Sequence, residues 1–128
     1  ANNEEIAALA NDFLINVTSF FRDQNVFAEL EQTIIPKLFK DKPAGEAIRA
    51  WSVGCATGEE AYTIAILIQQ SGLFDGWDVR VIGSDISKHS VTHARRGVYR
   101  EVSFRATSAE VRNQYFVETN GGLHVAEQ

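Results

Sequence analysis

Cysteine is almost missing from this chain: Cys55 stands alone, so no internal disulfide can form, and no histidine or cysteine spacing of a zinc site accompanies it. Long apolar runs are missing too. None approaches the roughly 20 residues that span a bilayer. The opening stretch ANNEEIAALANDF carries acids where a secretory signal would carry lysine or arginine, and the expected location is the cytoplasm. Positive charge is scarce as well. Twelve Lys and Arg against 17 Asp and Glu give a formal net charge of −5, which disfavours nucleic acid as a partner, because holding a phosphate backbone takes a dense positive surface. No internal repeat, low-complexity tract or proline-rich linker divides the 128 residues, which suit a single domain. What is present is core material: 45% hydrophobic residues, with two tryptophans and eight phenylalanines.

Of the three histidines, His89 and His93 are four apart and suit one helix face, but they lack a third ligand and no metal site is expected; His124 is isolated. The charge is unevenly spread. HARRGVYREVSFR, residues 93 to 105, holds four arginines against one acid. Arg95 and Arg96 suit a helix C-terminus, where the dipole favours cations; the alternative is a patch facing an acidic protein partner.

Periodicity gives the elements. Ile6, Leu9 and Phe13 recur at helical spacing. NVTSFFRD, Asn16 to Asp23, breaks the pattern with capping and turn residues, and its adjacent Phe20 and Phe21 cannot face one side of a regular element. A second helix is predicted from about Val26 to Phe39, with Phe27, Leu30, Ile34 and Leu38 on one face and Pro36 kinking or restarting it. IRAWSVG reads as a buried strand. EEAYTIAILIQQSG reads as a helix with a stripe of Ala61, Ile64, Ala65 and Ile68, stopped by Gly72. WDVRVIGSD is a second strand, and ISKHSVTHARRG a helix capped by Ser87 and stopped by Gly97. Strand, helix, strand, helix predicts parallel strands joined by crossovers. Thr107 with Glu110 forms a capping box for a further helix to about Phe116, and Asn-Gly-Gly near the end suggests a hairpin.

The most informative stretch is WSVGCATGEEAYTIA, Trp51 to Ala65. Gly54 allows a tight turn after the strand, and Gly58 lets the chain enter the helix with little bulk. Ala56 stands where a dinucleotide fingerprint needs its middle glycine, and Glu59 and Glu60 stand where a phosphate loop needs lysine and a hydroxyl. Both carboxylates suit the helix dipole; a cationic ligand is the functional alternative. Asp85, at the C-terminal end of the second strand, is placed either to accept ribose hydroxyls or to cap the next helix. A glycine turn without phosphate chemistry, one carboxylate for a cation and another for ribose together describe a nucleoside bearing an amino acid. S-adenosylmethionine has that chemistry. Taken alone, NVTSFFRD reads as two core phenylalanines with Arg22 a surface partner of Asp23; if this segment folds back over the ligand, Arg22 instead suits a two-point contact with the methionine carboxylate.

NVTSFFRD, IRAWSVGCATGEEAYTIAILI, GSDIS, ARRGVYRE and YFVE stand in an order and spacing that resembles the chemotaxis receptor methyltransferases of the CheR type, from about Asp12 to Val125. The resemblance implies a Rossmann-like α/β S-adenosylmethionine-dependent methyltransferase fold, truncated after its second or third strand. Residues 1–45 would be an N-terminal helical segment and 46–128 the start of the parallel sheet of a catalytic domain. It implies methyl transfer from S-adenosylmethionine to glutamate carboxylates of chemoreceptor cytoplasmic helices, with S-adenosylhomocysteine as product. The matching cofactor contacts are Asn16, Thr18, Arg22, Glu60 and Asp85. Arg22 would hold the methionine carboxylate and help position the reactants, Glu60 would lie near the ammonium, and Asp85 on ribose. The alternative is a signalling module that binds nucleoside or protein without chemistry. An unfinished parallel sheet has an open edge, and self-association through it is expected.

Overall fold

A computed structural model describes residues 18–126. Its first segment separates the two neighbouring phenylalanines. The Phe20 N–H donates to the Ser103 carbonyl at 2.9 Å, and the Phe21 N–H donates to Thr63 Oγ1 at 3.1 Å. Between these two anchors Phe21 takes a φ of 55°, an uncommon conformation for a bulky residue. The twist sends the Phe20 ring into one core against Tyr99, Phe104 and Phe116, while Phe21 packs between that core and a second one.

Helix α1 (Gln24–Glu29), a π-helical turn (Leu30–Ile34) and α2 (Ile35–Asp41) follow in direct succession. Proline has no N–H, and Pro36 enters the second position of α2 directly after the π turn, in which the Ile35 N–H donates to the Leu30 carbonyl. The wide turn before it has a sequence-wide consequence. A π turn inserts one residue, so the buried face advances from Leu30 to Ile35 instead of Ile34. Ile35 is 2% exposed and Ile34 50%, and the face that meets the core is Phe27, Leu30, Ile35 and Leu38.

The strand, helix, strand, helix unit forms as expected: β1 (Ile48–Val53), α3 (Glu59–Ser71), β2 (Val79–Ser84) and α4 (Lys88–Arg96). The strands pair in parallel, Ile48 opposite Val79 and Val53 opposite Ser84, so their C-terminal ends finish level. Gly72 and Gly97 stop α3 and α4 in the left-handed region, and the Ser87 hydroxyl caps α4 by accepting the Ser90 N–H at 3.2 Å. Of the predicted stripe, Ile68 is buried in a core and Ile64 packs against it, but the buried positions of α3 also include Glu59, Thr63, Ile66 and Leu67. Cores lie on two sides of this helix, Ile66 in one and Leu67 in the other. Ala61, Ala65 and the edge of Ile68 also line a groove of about 880 Å³ with Val79 and Val81 of β2.

Along both strands, residues alternate between inside and outside. Trp51 and Val53 of β1, 68% and 66% exposed, and Ile82 of β2 lie on the outer face. The two strands form a two-stranded sheet among the described residues, leaving both edges open.

A second, antiparallel sheet combines β3 (Val98–Tyr99) with β4 (Phe116–Thr119) and β5 (Gly122–Val125), in the order β3-β5-β4. The hairpin was legible in the Asn-Gly-Gly turn, but β3 was not: two residues carry no periodicity. A 3₁₀ turn (Glu101–Phe104) and α5 (Ala109–Tyr115) lie between. The cap of α5 is Ser108, accepting the Val111 N–H at 3.3 Å, not Thr107. Thr107 belongs to the preceding turn, where its N–H donates to the Phe104 carbonyl at 3.0 Å.

Candidate cofactor site

Because Val53 and Ser84 end side by side, the loop after β1 and the turn after β2 start as neighbours. The loop is held by its own amides. Cys55 N–H donates to the Ser84 carbonyl at 2.9 Å, and Gly58 N–H to the Cys55 carbonyl at 2.9 Å. Ala56, at φ 50°, donates its N–H to Asp85 Oδ2 at 2.9 Å. The other oxygen, Oδ1, accepts the Ser87 N–H at 2.8 Å. Each carboxylate oxygen of Asp85 therefore has further acceptor capacity beyond its backbone partner. Asp85 is half-buried at the mouth formed by the two strand ends.

The paired glutamates divide their work, since adjacent helical residues do not share a face. Glu60 is exposed, and its Oε1 accepts the hydroxyl of buried Ser52 at 2.8 Å, which ties the carboxylate to the end of β1. Glu59 is 2% exposed and accepts the Thr57 hydroxyl. Burial pushes its carboxyl above the usual range, opposed by Thr57, its own backbone N–H, and neighbouring His93 and Ser103.

Cys55 is buried within the same loop. Burial first, then the charge of Asp85, and after them Glu60 and Glu59, push its thiol up, against a backbone hydrogen bond that lowers it. The thiol stays protonated at neutral pH, which suits a small loop residue and not a nucleophile.

Glycine is required at Gly58, and Gly83 is closely packed. A Cβ on Gly58, whose φ is 100°, would lie 2.8 Å from Ala94 Cβ and 2.9 Å from the Tyr99 hydroxyl. A Cβ on Gly83 would lie 3.0 Å from Cys55 Sγ.

The first motif meets the site through Thr63, whose hydroxyl accepts from Phe21 and donates to the Glu59 carbonyl at 2.8 Å. Thr18 is half-buried and Arg22 exposed on this segment. Arg22 makes no hydrogen bond or ion pair with the described residues, and Asn16 lies outside them. Of the five residues singled out in the sequence, Glu60 and Asp85 thus converge on the loop, while Thr18 and Arg22 lie on a segment pinned to the start of α3. Sequence reasoning passed over Ser52, Thr57, Thr63 and Tyr99. For Ser52 a signal existed: it occupies an inward position in the alternation of β1.

Arg95, Arg96, Arg100 and Arg105 are all exposed. No helix among the described residues is long and apolar enough to cross a membrane, and no cluster of three potential metal ligands forms among them.

A parallel strand pair with a lysine-free glycine loop and an acid at each side of it fits S-adenosylmethionine, a nucleoside with an ammonium group and no phosphate, and so fits the S-adenosylmethionine-binding methyltransferase class. The chain belongs to the family described as CheR methyltransferase, SAM binding domain, whose model matches residues 16–128. It is 31% identical over 117 residues to chemotaxis protein methyltransferase 2 of Vibrio cholerae, covering 91% of this chain and 40% of the relative. It is 32% identical over 124 residues to the probable biofilm formation methyltransferase WspC of Pseudomonas aeruginosa, covering 97% of this chain and 29% of the relative. An uncharacterized 104.1 kDa protein of Rhodobacter capsulatus is 34% identical over 127 residues, covering 94% of this chain and 13% of the relative. The chain spans less than half the length of each of these relatives.

Proposed function

We propose that the protein containing this chain transfers a methyl group from S-adenosylmethionine to glutamate side-chain carboxylates of chemoreceptors, giving methyl esters. The chain supplies the first part of the catalytic domain: residues 48–84 hold its parallel strand pair, and residues 98–125 carry a separate antiparallel sheet in place of the further parallel strand expected from the sequence. The observation that carries this reading is the pair Glu60 and Asp85, two acids flanking a glycine loop that has no basic residue.

S-adenosylmethionine, when bound, supplies a methyl group on a sulfonium centre. The chain's own groups orient it. Asp85, already holding the loop through Ala56, accepts ribose hydroxyls on its remaining lone pairs. Glu60, fixed by Ser52, receives the ammonium, and Arg22 pairs with the methionine carboxylate as a planar two-point donor. Asn16 and Thr18 complete the contacts on the same segment. The substrate glutamate is ionised at neutral pH, with an unperturbed pKa of about 4.3, so no general base is required. Rate then comes from alignment and from exclusion of water.

Exposed Arg95, Arg96, Arg100 and Arg105 suit an acidic receptor helix as partner. The open sheet edges and the exposed Trp51, Val53 and Ile82 favour self-association of the isolated chain. Light scattering over a range of concentrations tests that point, and a monomer at every concentration contradicts it.

The activity is tested by incubating the full-length protein with methyl-labelled S-adenosylmethionine and chemoreceptor cytoplasmic fragments. Base-labile label on receptor glutamates is expected. Cofactor binding without any such label would favour a signalling module that has kept the site without the chemistry.

A further inference from the structure

The loop between β1 and α3 is held from two directions. On one side Asp85 takes the Ala56 N–H. On the other, Tyr99 of the antiparallel sheet donates its hydroxyl to the Thr57 carbonyl at 2.6 Å. Tyr99 is 2% exposed and wedged against Phe20, Tyr62 and His93, so its hydroxyl has little freedom to leave. Its backbone is fixed as well, paired with Leu123 of β5. The absence of a side chain at Gly58 is what lets the hydroxyl reach the loop, since a Cβ there would lie 2.9 Å from it. Thr57, in turn, passes its own hydroxyl to buried Glu59, at the head of the helix that carries Glu60. No other residue of the small sheet reaches the loop by a side-chain hydrogen bond among those described.

We propose that Tyr99 is a positioning residue, fixing the loop in its cofactor-competent shape and thereby coupling the antiparallel sheet to the affinity of the cofactor site. The inference rests on the reading that this loop lines the cofactor site. A left-handed residue, Ala56, stands one position before Thr57. A loop with such a residue needs tertiary restraints to persist, and the Thr57 carbonyl is one of the points at which they act.

The test compares two variants of the full-length protein that delete the same chemical group. Tyr99→Phe removes the hydroxyl on the loop. Tyr62→Phe removes a hydroxyl beside Tyr99 that donates to the Ala94 carbonyl at 2.7 Å and makes no hydrogen bond to the loop. Hydrogen exchange of residues 54–58 in the absence of cofactor is expected to quicken in Tyr99→Phe and to match wild type in Tyr62→Phe. Titration with S-adenosylhomocysteine is expected to show affinity about fivefold weaker in Tyr99→Phe alone. In turnover, KM for S-adenosylmethionine rises and kcat at saturation holds. Unchanged loop exchange in Tyr99→Phe, or equal quickening in both variants, overturns the positioning role. Quickened loop exchange in Tyr99→Phe, with wild type that binds no S-adenosylhomocysteine, upholds the loop contact and overturns the cofactor reading together with the coupling.

Discussion

Asp85 reaches across from the end of one strand to accept the backbone N–H of Ala56 beyond the other, at 2.9 Å, and so closes the loop over the mouth of the parallel pair. Its second oxygen does the same for Ser87. Removing the carboxylate breaks two bonds at once. Asp85→Ala is expected to destabilise the domain by about 1–3 kcal/mol, since both amides lose a charged acceptor. Asp85→Asn, which keeps one oxygen, is expected to lose less. Urea denaturation of the two variants and wild type gives the order directly.

Glu59 sets a pH dependence whose direction follows from its burial. Its carboxyl is raised in the folded state, so the fold binds this proton more tightly than the unfolded chain does. The stabilising contribution is therefore complete below the unfolded value, about 4.5, and is lost as pH rises through the folded one. Wild-type Tm is expected to gain less between pH 4.5 and pH 7 than Tm of Glu59→Gln, which keeps the acceptor for Thr57 without the charge. The comparison cancels the other acids, such as Asp78 and Glu101, whose partners Arg49 and Arg112 hold them low and which act in the opposite direction. A parallel pair of pH curves would contradict the assignment.

Gly58 and Gly54 both have positive φ but differ in their surroundings. A Cβ on Gly54 meets nothing within 4 Å, whereas one on Gly58 collides with Ala94 and Tyr99. Gly54→Ala is thus expected to cost about 1–2 kcal/mol from the backbone alone. Gly58→Ala adds a steric cost of about 1–3 kcal/mol. Chemical denaturation midpoints check the difference.

The π turn before Pro36 makes a prediction opposite to the sequence pattern. Ile35→Ala is expected to cost about 2–5 kcal/mol and Ile34→Ala under about 1 kcal/mol. A larger loss at Ile34 than at Ile35 would place the buried face where an uninterrupted helix puts it.

That pair also shows where sequence reasoning stopped. A 3.6-residue period identifies a helix and its approximate face, but a single inserted residue rotates everything after it, and proline announces an interruption without saying how the backbone absorbs it. The parallel unit was legible because each end is punctuated: Gly58, Gly72, Ser87 and Gly97 all act where their chemistry places them. Glu60 and Asp85 stood out in the sequence because their charge is wrong for a phosphate loop, and the fold ties Glu60 to the end of the strand before that loop and Asp85 to the loop itself. Tyr99 was not, because its contact with Thr57 spans 42 positions and a two-residue strand leaves no pattern. Glu59 beside Glu60 looked like its twin. The fold separates them, burying Glu59 beside Thr57, His93 and Ser103 and leaving Glu60 exposed.

The central claim is that the loop binds S-adenosylmethionine through a carboxylate at each side. Calorimetric titration of the full-length protein with S-adenosylhomocysteine tests it most directly. The account predicts saturable binding to wild type, weakened about tenfold or more in Glu60→Gln and in Asp85→Ala. Wild-type binding that both substitutions leave unchanged would contradict it.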